Sequence, residues 1–109
     1  MAIELPAVIA RYFAEDAREG PEHVAQCFTD TAVVTDAGRS HEGRSAIAAW
    51  KASASTQYSY TVEPFAIVGD GDRLVVTSRV AGNFPGSPVD LRYIFKVEGE
   101  HIAALEIAP

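Results

Sequence analysis

The amino-acid sequence predicts an α+β protein in which helices collect on one face of a largely antiparallel sheet. Three observations carry this. Leu5, Val8, Ile9, Tyr12, Phe13 and Ala17 recur at helical spacing near the start of the chain. From Gln57 to Ile107 the chain is one run of strand-like sequence interrupted only by tight turns. The elements follow as helix, helix, strand, helix and then four strands, which segregates the two types instead of alternating them, the pattern of an α+β layer structure.

The first helix ends at Gly20-Pro21 and turns Glu15, Arg18 and Glu19 to solvent, with Pro6 suited to its first turn. Pro21 opens a short second helix, with Glu22 at its positive end, that buries Val24, Cys27 and Phe28 and stops at Thr29-Asp30-Thr31. Ala32-Val33-Val34-Thr35-Asp36 is a β-branched strand, followed by a polar loop from Ala37 to Gly43. A third helix is expected from Arg44 to Ser53, anchored by Ile47 and Trp50 one turn apart. The next strand sets Tyr58, Tyr60 and Val62 on one face. Phe65 and Ile67, beyond Pro64, have the opposite parity, so a bulge or bend is implied there.

Gly69-Asp70-Gly71-Asp72 and Glu98-Gly99-Glu100 are hairpin turns, the second leading into a last strand from His101 to Ile107. Between them lies a long hairpin with arms Leu74–Ala81 and Val89–Val97, joined through Pro85-Gly86 at the centre of a type II turn. Val89, Leu91, Tyr93, Phe95 and Val97 alternate with Asp90, Arg92 and Lys96, so one face of the sheet is dry. A bent sheet wrapped by helices leaves an apolar cavity with a few inward polar groups, the usual make-up of a small-molecule site.

A chain of 109 residues has room for one core, so residues 1–109 are expected to form a single domain. No apolar stretch approaches the length of about 18 residues that spans a membrane. The net charge of −6 repels phosphate backbones and anionic lipid, which argues against nucleic-acid and membrane partners. Cys27 is the only cysteine and the three histidines lack ligand spacing, so neither a disulfide nor a zinc site is expected. Asp70-Gly71-Asp72 lacks the closing glutamate of a calcium loop, and no serine stands in a Gly-x-Ser-x-Gly turn. No cofactor is expected. The opening Met1-Ala2-Ile3-Glu4-Leu5-Pro6 carries an acid in place of a basic leader, which points to the cytoplasm.

Val8-Ile9-Ala10-Arg11-Tyr12, Phe28-Thr29-Asp30-Thr31-Ala32-Val33-Val34-Thr35-Asp36 and Gly43-Arg44-Ser45-Ala46-Ile47, in this order of elements, resemble the nuclear transport factor 2-like superfamily over nearly the whole chain. Within it the chain looks like the SnoaL-like and ketosteroid isomerase-like branch. The resemblance implies a cystatin-like arrangement, three N-terminal helices packed on a strongly bent, largely antiparallel sheet forming a conical pocket. Into such a pocket project a tyrosine of the first helix and an aspartate ending the first strand, positions filled here by Tyr12 and Asp36. The superfamily hosts isomerases, cyclases, hydrolases and binding proteins, so the resemblance implies a fold before it implies a reaction. The isomerase of this branch shares the enolate's charge between its tyrosine and a second, protonated acid on a long strand. By strand parity the corresponding inward positions here hold Leu91 and Tyr93, while Asp90 faces away unless a bulge rotates it.

Each candidate also has a plainer reading. Asp36 either caps the turn at Ala37-Gly38, a frequent task for aspartate, or stands at the cavity wall as a base for a proton beside a carbonyl. Tyr12 is either a packed ring with its hydroxyl bonded internally or a donor to a ligand oxygen. Phe13, Trp50 and Leu91 read as core or pocket wall, and Tyr93 as wall or substitute donor. His41, beside Glu42, reads as a solvated loop residue, Glu106 as an outer-face charge near Arg79 or Arg92, and Cys27 as a small buried hydrophobe.

Two functions follow. The first is a cofactor-independent isomerase or cyclase acting on an apolar carbonyl compound, with Asp36 shuttling the proton and Tyr12, with or without Tyr93, holding the oxyanion. The alternative is a non-catalytic domain that binds an apolar small ligand or only dimerises. Ile94 interrupts the polar series Asp90, Arg92, Lys96 on the outer sheet face, and this, with the family's mode of pairing, points to a homodimer through that face.

Overall fold

The computed structural model describes residues 3–18, 20–57 and 59–109, with 54–57 described by their backbone alone; Met1, Ala2, Glu19 and Tyr58, which figure in the sequence reading, lie outside the described residues. Helices α1 (Ala7–Ala17) and α2 (Pro21–Ala25) precede strand β1 (Phe28–Asp36) and the short β2 (Arg39–Glu42). Helix α3 (Arg44–Gln57) then leads into β3 (Tyr60–Asp70), β4 (Arg73–Gly82), β5 (Val89–Glu98) and β6 (His101–Ala108). The six strands form one curled, open sheet in the order β2-β1-β6-β5-β4-β3, and the three helices lie on its concave side. Every neighbouring pair is antiparallel except β1 and β6, so the α+β architecture read from the sequence is the one observed.

Several boundaries differ, each for a tertiary reason. Strand β1 starts at Phe28 instead of Ala32, because β6 supplies it with a partner: Phe28 pairs with Ile102, whose N–H donates to the Cys27 carbonyl at 2.8 Å. Helix α2 accordingly stops at Ala25, and Thr29-Asp30-Thr31 belongs to the strand. The expected polar loop after Asp36 is a hairpin. Ala37 and Gly38 both take positive φ, 53° and 77°, and β2 folds back on β1 with Asp36 opposite Arg39. Alanine is an unusual occupant of the first of these positions, which hid the turn. Helix α3 runs past Ser53 to Gln57, since serine and threonine weaken a helix without stopping it. Strand β3 begins at Tyr60 and not at Gln57.

The bulge expected after Pro64 is present. Pro64 pairs with Ser78 and Ala66 with Thr77, leaving Phe65 as the extra residue, 44% exposed, after which Ile67 regains the inner face opposite Val76. The β4–β5 connection has Gly86 at φ 87° and a Ser87 N–H to Phe84 carbonyl bond of 3.3 Å, the features of the predicted type II turn.

Register across the sheet lays the inner side chains in rows. Val34, Leu105, Phe95 and Leu74 form one row, on which Ile9, Tyr12, Val24 and Ile47 of the helices pack. Each large side chain fully buried there contributes about 1.5–3 kcal/mol. The next row is Asp36, Ile107, Tyr93, Val76 and Ile67, followed by Leu91, Ser78 and Pro64 and then Val89, Val80 and Val62. Over the β1 and β5 ends of these later rows the helices leave space, and that space is the cavity.

Candidate functional site

The cavity holds about 500 Å³, within the range of small-molecule sites. Helix α1 contributes Tyr12 and Asp16, which lie on one stripe because they are one helical turn apart. Asp36 enters from the end of β1, Trp50 from α3 and Tyr60 from the start of β3. The long strands supply an apolar floor of Val80, Val89, Leu91, Tyr93 and Ile107, and Phe84 and Pro85 of the β4–β5 turn reach its rim.

Asp36 accepts a hydrogen bond from the Trp50 indole N–H, Nε1 to Oδ2 at 3.0 Å. Among the described residues its carboxylate makes no bond to the Ala37-Gly38 backbone and no ion pair, so it points into the cavity and does not cap the turn. The Trp50 ring in turn lies 6.1 Å from the half-buried His41 ring. His41 is therefore no solvated loop residue: pairing of β2 with β1 puts it opposite Val34.

Tyr12 is 1% exposed, and its ring meets those of Phe28, Phe95 and Tyr93 with centroids 5.9, 5.5 and 6.5 Å away. No hydrogen bond joins its hydroxyl to another described residue. Phe13, expected in the same wall, stands behind it. One residue on from Tyr12 means about 100° around the helix, so Phe13 packs edge-on to Tyr93 at 5.3 Å and borders a smaller neighbouring cavity of about 270 Å³. Leu91 and Tyr93 face inward as their parity required. Asp90 faces out and pairs with Arg79 at 3.3 Å, so it does not supply a second acid.

A second carboxylate reaches the cavity, from helix α1. Asp16 is buried and meets Lys51 Nζ at 2.7 Å, with side chains 8% and 2% exposed. Lys51 Nζ also lies 3.5 Å from the Tyr60 hydroxyl and 5.4 Å from the centre of that ring. Asp16 and Tyr60 border both cavities, so this cluster forms the partition between them. The available signal was the helical stripe itself, since Asp16 lies four residues after Tyr12 and Lys51 four after Ile47.

Burial opposes ionisation of all three cavity phenols, and the nearby carboxylates reinforce it. Tyr12 is raised well above the ordinary tyrosine value by burial, then by Asp16, the other two phenols and Asp36; Tyr93 is raised by burial, then by Asp16, Tyr60 and Asp36. Tyr60 is raised by burial and Asp16, with Lys51 opposing. All three are hydrogen-bond donors at neutral pH. For Lys51, burial pulls downward, but the bond to Asp16 and its charge outweigh that and leave the ammonium favoured. Cys27 is buried, with its thiol pushed up by desolvation and its Sγ 3.6 Å from the His23 carbonyl, which suits an inert core position. Among the described residues no group of three or more His, Cys, Asp or Glu is placed to hold a metal ion, and no helix is long and apolar enough to cross a membrane.

Comparison with known proteins gives this cavity a family. No curated protein matches the chain. Among solved structures, a Sinorhizobium meliloti protein provisionally assigned as a polyketide cyclase is 40% identical over 94% of both chains, with a TM-score of 0.89. A Catenulispora acidiphila protein of ketosteroid isomerase-like fold, solved with trimethylamine, superposes at a TM-score of 0.85 over 97% of this chain and 87% of its own, at 18% identity. SalBIII, an epoxide hydrolase/cyclase-like enzyme of pyran ring formation in salinomycin, reaches 0.77 over 93% and 86%, also at 18% identity. These last two attest the fold alone. The SnoaL-like domain model matches residues 9–105, from the core of α1 to the buried Leu105 of β6. The chain belongs to the SnoaL-like domain family, with the nuclear transport factor 2-like fold.

Proposed function

We propose that this protein is a cofactor-independent enzyme that moves a proton beside the carbonyl of an apolar small molecule, in an isomerase or polyketide cyclase-like reaction. Asp36 is the base. Its oxygen is held by a neutral indole N–H and, among the described residues, by no cation, inside a wall of aromatic and aliphatic side chains, and this one arrangement carries the reading. A carboxylate so placed is oriented without meeting a counter-charge. Tyr12 and Tyr93 donate to the oxygen on which charge develops. The 40%-identical protein assigned as a polyketide cyclase supports the cyclase form of the reaction.

A second reading, ligand binding without turnover, is favoured by the inner face of β5, where Leu91 and Tyr93 stand and no acid does. Deuterium exchange at the α-carbons of 2-tetralone, followed by proton NMR, separates the two. The enzyme reading expects catalysed exchange that falls by about 10²–10⁴ in Asp36→Asn while 2-naphthol still binds. Binding of both compounds with no catalysed exchange favours the second reading.

The same proposal includes a cytoplasmic homodimer formed through the outer sheet face. Val68, 63% exposed, pairs with Val75, and Val75 with Ile94, giving an apolar row across β3, β4 and β5. Light scattering at micromolar concentration is expected to give twice the chain mass, and Ile94→Asp to give the monomer. A wild-type monomer would remove this part.

A further inference from the structure

We propose that Tyr60, polarised by the buried Lys51–Asp16 pair, is the principal hydrogen-bond donor to the substrate's oxyanion; this rests on the proton-transfer reading of the same cavity. An ammonium has no lone pair, so in the 3.5 Å contact Lys51 must donate and the Tyr60 oxygen must accept. The phenol's own proton is thereby left for another acceptor. No other hydrogen bond joins that hydroxyl to a described residue, and Tyr60 borders the main cavity. A hydroxyl whose oxygen accepts from a cation is also a stronger donor, because successive hydrogen bonds polarise one another.

The ion pair has no evident structural reason to be there. A buried Lys–Asp pair is generally no more stable than well-packed apolar residues of similar size, so its presence points to a role other than stability. Asp16 holds Lys51 at 2.7 Å, and Lys51 carries positive charge to the cavity's edge without opening that edge to water. Among the described residues Tyr12 and Tyr93 have no such cation.

Tyr60 is also fixed in place. The N–H of Asn83 donates to the Ser59 carbonyl at 3.1 Å, and the Ser59 N–H donates to Asn83 Oδ1 at 2.9 Å. Opposite Tyr60 stands Gly82, where an added Cβ would fall 2.2 Å from the Ser59 carbonyl oxygen and 2.7 Å from the Tyr60 Cβ. The β3–β4 backbones can approach this closely only with glycine there. Asp36 and Tyr60 come from strands at opposite sides of β6, β5 and β4, so a substrate in the curled sheet lies between base and donor. In the step, Asp36 takes the α-proton, the C–H electron pair becomes the enolate double bond, and the carbonyl π pair moves to oxygen. That oxygen accepts a hydrogen bond from Tyr60, which keeps its proton. Asp36 then returns its proton to carbon. Of the three residues of this cluster Tyr60 is the catalytic one, and Lys51 and Asp16 position and polarise it.

The test uses 2-naphthol as an enolate mimic, with naphthalene as its uncharged control, on the Asp36→Asn protein, whose Asn stands for the protonated base. Naphtholate and naphthol are distinguished by fluorescence across pH. Tyr60→Phe, which leaves the ion pair intact, is expected to weaken naphtholate binding by about 10–100-fold and to raise the bound naphthol's ionisation pH, with naphthalene binding unchanged. Lys51→Met with Asp16→Leu, designed to keep the site filled and uncharged, should do the same, and Lys51→Arg should restore tight anion binding. Naphtholate binding that ignores Tyr60→Phe but is lost in Tyr12→Phe overturns the proposal and leaves the Asp36–Tyr12 reading standing. Equal loss of naphthalene and naphtholate overturns it as well. Tyr60-dependent anion binding in a protein that never exchanges 2-tetralone supports the donor while removing Asp36 as base.

Discussion

Two carboxylates reach one cavity from opposite walls, and they are held in opposite ways. Asp16, on the wall of α1, α3 and β3, is matched by a full positive charge at 2.7 Å and is nearly inaccessible. Asp36, at the end of β1, is met by one neutral N–H at 3.0 Å and is only half-buried. A carboxylate with a cationic partner is spent on that partner; a carboxylate with an indole N–H keeps an oxygen for chemistry. On the proposed reading, the first wall gives electrostatic support and the second carries out proton transfer.

The largest expected effect breaks the first wall. Lys51→Met leaves Asp16 buried without its cation and should cost about 3–5 kcal/mol in urea denaturation, whereas adding Asp16→Leu should recover most of that. Full stability of the single variant would mean that Asp16 is not desolvated.

Strong alkali attacks the same wall and the floor beside it. Lys51 and the phenols of Tyr12, Tyr60 and Tyr93 all hold their protons more tightly when folded. The unfolded chain releases them at about pH 10, so their contribution is complete below that and is lost as pH rises through the folded values. The urea midpoint should fall steeply above about pH 10, and Tyr93→Phe should make the fall shallower.

On the second wall, Trp50→Phe removes the donor to Asp36 and should cost about 1.5–3 kcal/mol while slowing proton exchange through loss of orientation. An unaltered exchange rate would mean that the indole does not orient the base. The smallest effect lies on the floor between the walls. Ser78 is fully buried and its Oγ has no hydrogen-bond partner among the described residues, so Ser78→Ala should be neutral or stabilising by up to about 1 kcal/mol in the same denaturation assay. A clear loss of stability would reveal a partner for that hydroxyl.

The two walls also differ in how far they could be read from the sequence. Tyr12, Leu91 and Tyr93 were legible because helical spacing and strand parity state which side a residue faces, Asp36 through the resemblance that puts an aspartate at the end of the first strand, and Trp50 because a large ring on an apolar stripe has to be covered. Asp16 and Lys51 occupy equally good stripe positions, but their charges suggest solvent. Only the crossing of α1 and α3 brings those charges together, and no spacing along the chain encodes that crossing. The hairpin after Asp36 was hidden by alanine at a left-handed position, and the early start of β1 by a partner at the far end of the chain. The Trp50–Asp36 bond likewise joins two elements that the sequence placed separately.

The most direct test of the division between the walls is one α-proton exchange assay on 2-tetralone, comparing Asp36→Asn with Asp16→Asn in folded protein. Asp36→Asn is expected to lose about 10²–10⁴ in rate, whereas Asp16→Asn, which leaves Lys51 beside Tyr60, should stay within about tenfold of wild type. Abolished exchange in Asp16→Asn with near-normal exchange in Asp36→Asn would contradict the account, because the base would then be on the opposite wall.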